Sequence, residues 1–101
     1  MRFVVKKTKE NVANLSRILG YSPMSITRGE LNCLRPLASG DYPRFHLFIK
    51  ESKEKNKLAF SLHLDQKRPS YSGSSAHSGE YEGRLVKSEA ERIKKIIEKI
   101  E

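Results

Sequence analysis

Arg44-Phe45-His46-Leu47-Phe48-Ile49-Lys50 and Leu58-Ala59-Phe60-Ser61-Leu62-His63-Leu64-Asp65 are the two stretches that decide the fold. In the first, Phe45, Leu47 and Ile49 alternate with Arg44, His46, Phe48 and Lys50. In the second, Leu58, Phe60, Leu62 and Leu64 alternate with Ala59, Ser61, His63 and Asp65. A period of two marks a strand with one buried face. The connector Glu51-Ser52-Lys53-Glu54-Lys55-Asn56 is short and polar, which makes the pair an antiparallel hairpin. Partners across an antiparallel pair have numbers with a constant sum. The apolar set is odd in one strand and even in the other, so an odd sum puts both on one face. The same parity gathers Arg44, His46, Phe48, Ser61, His63 and Asp65 on the opposite face.

Outward from the hairpin, Leu31 and Cys33 alternate with Glu30, Asn32 and Arg35, which predicts a strand over 30–36. Ser39-Gly40-Asp41-Tyr42-Pro43 is turn chemistry. Val12, Leu15, Ile18 and Leu19 form one helical stripe, predicting a helix over 9–19 capped by Thr8. Gly20 suits the left-handed position after that helix, and Pro23 forbids its continuation. Met1–Lys6 reads as a short first strand. Val86, Ala90, Ile93, Ile97 and Ile100 lie on one face of a last helix over 84–100, which starts with a Ser88/Glu91 capping box or a turn earlier at Gly83. Residues 66–83, rich in Ser and Gly, show no periodicity and read as a long loop. The expected fold is a single α+β domain over 1–101. It is a three-stranded antiparallel meander with two helices on one face, in the order α-β-β-β-α, plus a short N-terminal strand at an edge.

Composition narrows the function classes. The chain has 101 residues, a net charge of +8 and 37% apolar residues, enough for one modest core. A basic balance draws polyanions, chiefly nucleic acid or an anionic membrane. Residues 1–65 hold 12 Lys/Arg against 6 Asp/Glu, so the excess is spread over the domain and is not a tail. The lone Cys33 excludes an internal disulfide and a cysteine zinc site, and its apolar setting predicts a buried thiol. Nothing approaches the ~20 apolar residues of a membrane span, and the N-terminal apolar run is too short for a signal peptide. A cytoplasmic protein without a cofactor and without membrane contact is expected.

The candidate site follows from parity. A metal-independent ribonuclease needs a general base, a general acid and a cation for the phosphorane. His46 and His63 can supply the first two, Arg44 the third, and Asp65 can orient an imidazole. His77 can reach over from the loop, and His46, His63, His77 and Asp65 also have ligand types suited to zinc, though in no recognised spacing. For binding, Lys6, Lys7, Lys9 and Arg17 surround the first helix, while Arg28, Arg35 and Arg44 punctuate the sheet. Tyr71 and Tyr81 are of a type that stacks on unpaired bases, or else they anchor the loop against the domain.

The expected order of elements, with Ile18-Leu19-Gly20-Tyr21, Arg44-Phe45-His46-Leu47-Phe48 and Ala76-His77-Ser78-Gly79, resembles the HicA-type messenger-RNA interferases and the double-stranded-RNA-binding domains that share their fold. The resemblance implies RNA binding and makes His46 the counterpart of the catalytic histidine in the interferases. Tyr42-Pro43-Arg44-Phe45-His46, Leu62-His63-Leu64-Asp65-Gln66 and Ala76-His77-Ser78-Gly79-Glu80-Tyr81 also look like segments of a family of small bacterial proteins of unknown function, which implies no mechanism. The expected function is a small basic RNA-binding domain, with endoribonuclease activity as its extension. The alternative is a non-enzymatic interaction or regulatory module that takes a protein partner, or a second copy, on a sheet edge or on helix 84–101.

Overall fold

The hairpin forms as its parity requires, and the sheet around it is wider than three strands. The computed structural model describes the backbone of residues 1–66 and 78–101 and the side chains of 1–66 and 82–101. In chain order the elements are β1 (Arg2–Lys6), α1 (Val12–Ile18), β2 (Ser22–Thr27), β3 (Glu30–Pro36), β4 (Arg44–Ser52), β5 (Lys57–Asp65) and α2 (Ser78–Ile100). All strand pairs are antiparallel, in the order β1-β5-β4-β3-β2. The expected three-stranded meander with its α-β-β-β-α order is therefore corrected to a five-stranded sheet in a β-α-β-β-β-β-α chain.

Two strands account for the difference. β1 pairs with β5 over Arg2–Lys6 and Ser61–Lys57, which makes it a full edge strand of the same sheet. β2 pairs with β3 through a two-residue turn, Arg28-Gly29, in which both residues have positive φ (53° and 78°). That turn twist matches the twist of the flanking strands, so a hairpin is favoured. The register of β2 shifts between Pro23 and Ser25, a bulge that destroys simple alternation. Pro23 is tolerated because β2 is an edge.

The two helices cover one face of the sheet, and among the described residues nothing covers the other. Leu31, Cys33, Phe45, Leu47, Ile49, Leu58, Phe60 and Leu62 are buried against Leu15 and Leu19 of the α1 end and Ala90, Ile93 and Ile97 of α2. Phe3 stacks on Phe60, its cross-strand partner, with ring centroids 5.0 Å apart. Both helices thus lie on the same side, as expected, and the apolar face of α2 is spent on the sheet. The helix ends differ from the expectation. Asn11, not Thr8, caps α1, its side chain accepting from the Asn14 N–H at 2.8 Å. The Thr8 hydroxyl instead accepts from the Glu10 N–H, a local turn just before the helix. α2 begins at Ser78, so residues 78–83 belong to it and not to a loop, and Ser88 lies well inside the helix. No described helix is long and apolar enough to cross a membrane.

Candidate nucleic-acid interface

The uncovered face is defined by register. Moving across the sheet, it carries Arg2, Val4 and Lys6 of β1, then Lys57, Ala59, Ser61, His63 and Asp65 of β5. Beyond these come Arg44, His46, Phe48 and Lys50 of β4, and Glu30, Asn32 and Leu34 of β3. Five cations stand against two carboxylates. Lys6 and Lys57 are direct cross-strand partners, an arrangement that like charges disfavour in the absence of an anion. Arg2, Lys6, Lys50 and Lys57 are exposed.

The histidines expected on this face are there, and they are cross-strand partners. His46 is held on both sides. Its Nδ1 meets Asp65 Oδ2 at 3.2 Å, and its Nε2 meets the Asn32 amide, across on β3. Arg44 Nε lies 3.5 Å from the same Asp65 oxygen, and its guanidinium stands over the Tyr42 ring at 4.4 Å. The His46 side chain is 22% exposed, so it is not sealed in the core, but a phosphate reaches its nitrogens only by displacing Asp65 or Asn32. His63 is exposed, with Nε2 3.1 Å from the Ser61 hydroxyl. Phe48 joins the two imidazoles, with its ring centroid 4.5 Å from His46 in a stacked pose and 6.1 Å from His63 edge-on.

The other cations named from the sequence do not converge. Lys7 is ion-paired with Glu51 at 2.9 Å. Lys6, Lys7 and Lys9 line a depression of about 1120 Å³ between β1 and the C-terminal turns of α2, together with Lys94, Glu98 and Glu101. Of its four cations Lys7 is spent on Glu51, and two carboxylates stand against the remaining three. Arg17 is exposed on α1, its guanidinium donating to Asn14, and Arg28 sits in the β2–β3 turn. Arg35 points to the helix side, where Nη1 donates to the buried Glu89 at 3.3 Å. Tyr71 and His77 lie outside the described residues, as does the Tyr81 side chain. Among the described residues no group of three or more His, Cys, Asp or Glu is placed to hold a metal.

Three cations of the interface, Arg2, Lys50 and Lys57, were not picked out by sequence reasoning, which followed helix-adjacent lysines. The signal was present in the hairpin, because Lys50 and Lys57 have the same parity as His46 and His63. Arg2 becomes visible only once β1 is known to pair with β5. No protein-family model, curated protein or solved structure matches the chain, so its function is read from its own residues.

Proposed function

We propose that this protein binds RNA on the uncovered face of its sheet, through phosphate contacts from Arg2, Lys6, Lys50 and Lys57. One observation carries the reading: among the described residues the face without helices holds five cations against two carboxylates, and with Arg44 paired to Asp65 four cations still stand against Glu30 alone. Polyanion binding would also relieve the Lys6–Lys57 apposition. Binding is what this face supports. Cleavage would require His46 to surrender one of its two partners.

A titration of the full chain with RNA at roughly 50 and 200 mM salt tests the reading. Several phosphate contacts predict an affinity loss on the order of a hundredfold or more between the two, with a slope set by the number of cations engaged. Lys50→Glu and Lys57→Glu should each weaken binding and flatten that slope. Lys95→Glu, on the exposed side of α2, should not. Absence of binding at the lower salt overturns the reading.

A second reading, a protein partner added as a strand along β2, is favoured by a different observation. β2 carries no charged residue, and Met24 and Ile26 on it are 59% and 63% exposed. The opposite edge, β1, has Arg2 and Lys6, the usual guard against strand addition. Concentration-dependent association that Ile26→Lys abolishes would support this second reading.

A further inference from the structure

We infer that the RNA is held single-stranded, with an unpaired base laid against Phe48 in a trough that runs along β5; this rests on the reading of the uncovered face as an RNA surface. The trough follows from side-chain size. On β5 the outward residues Ala59 and Ser61 are small. Their cross-strand neighbours are larger: Arg2 and Val4 on β1, Phe48 and Lys50 on β4. The result is a depression of about 460 Å³ walled by Phe48, Lys50, Arg2 and Val4, with His63 at one end. A second depression of about 350 Å³ shares Val4 and Ala59 with the first and continues to Lys55 and Lys57. The two form one track, with Phe48 and His63 at one end, Arg2 and Lys50 along its walls, and Lys57 and Lys55 at the other end.

The ring at one end of the track fixes where a base lies in it. Phe48 is braced by His46 stacked at 4.5 Å and by the edge of His63, so its ring is held before any ligand arrives. A preorganised aromatic surface beside cations is the arrangement on which bases stack, and stacking needs an unpaired base because a duplex keeps the faces of its bases inside the helix. Glu30 lines the same depression as the cross-strand partner of Lys50, one rung from Phe48. A carboxylate there accepts a hydrogen bond from a base amino group. The base therefore lies on the Phe48 ring, and its phosphates run past the flanking Arg2 and Lys50 toward Lys57.

The test uses the full chain and an RNA of about twelve nucleotides carrying 2-aminopurine, compared with the same RNA annealed to its complement. The single strand should bind at least about tenfold tighter than the duplex, and 2-aminopurine fluorescence should be quenched on binding. Phe48→Leu keeps an apolar side chain but no ring, and should weaken single-strand binding by about tenfold without changing its salt slope. Ala59→Leu fills the trough from an exposed position, so it should do the same in a chain that still folds. Equal affinity for single strand and duplex overturns the inference and leaves the RNA reading standing. So does parental binding by both variants. No binding of either RNA at low salt overturns both.

Discussion

Glu89 is 4% exposed and collects four hydrogen bonds from three parts of the chain. Tyr21 donates its hydroxyl proton, Arg35 one guanidinium N–H, and Arg92 two at 2.7 and 2.8 Å, while Arg92 also donates to the Leu19 carbonyl that ends α1. The carboxylate raises Arg92 above its ordinary range through these bonds, outweighing the desolvation that opposes it. Removing one partner from such a cluster leaves buried charge unanswered, so Glu89→Ala should cost about 3–5 kcal/mol. Tyr21→Phe, which removes one donor of four, should cost about 1 kcal/mol. Urea unfolding of both variants measures the difference, and equal midpoints would contradict it. None of this was legible beforehand. Glu89 sits among the charged residues of an amphipathic helix, and nothing local says that Tyr21 and Arg35 reach it from elsewhere. His46 and His63 were placed correctly because hairpin parity is local arithmetic. That Asn32 would reach the other nitrogen of His46 depended on the β3–β4 register, which the sequence leaves free.

Elements with strict alternation were readable and those with broken patterns were not. β3 has the expected bounds, and β4 and β5 extend theirs by one or two residues. β2 was hidden by Pro23 and the bulge after it, although Arg28-Gly29 is a turn signal in its own right. Gly79 and Gly83 made the start of α2 look like loop, because glycine disfavours a helix interior by about 1 kcal/mol. The long apolar stripe that follows overrides them. Gly83 is exposed, and a Cβ built there meets nothing within 4 Å. Gly83→Ala should therefore stabilise the protein by about 0.4–1 kcal/mol, raising the thermal midpoint by a few degrees. An unchanged or lower midpoint would mean that residues 78–83 are not helical in solution.

For the whole molecule, stability should fall on the alkaline side. Burial pushes the Cys33 thiol up to about 12 from its ordinary 9.0, while its proton is shared with the Leu47 carbonyl at 3.3 Å. Burial also pushes the Tyr21 phenol up, and its hydrogen bond to Glu89 adds to the effect. Both groups keep a proton in the folded chain that the unfolded chain releases. Their contribution is thus complete below pH 9 and is lost as the pH rises toward 12. The Cys33 share alone should be on the order of 2 kcal/mol by pH 11. Chemical denaturation at neutral pH and at pH 10 and 11 measures it, and a flat profile would contradict it. Cys33→Ala should flatten part of that profile.

The pairing of β1 with β5 also bears on how the chain finds its structure. The first strand has no neighbour until the last one exists, because Lys6 meets Lys57 and Arg2 meets Ser61. The β2–β5 meander can close hairpin by hairpin, whereas the β1–β5 ladder closes a loop that contains every other strand. Long-range closure of this kind slows folding and, on a ribosome, postpones it. Until β5 emerges, β1 is an unclaimed strand carrying Phe3, Val4 and Val5. Nascent chains stalled before residue 57 should therefore be open to proteases and chaperones along β1, and the sheet should become protected in one late step.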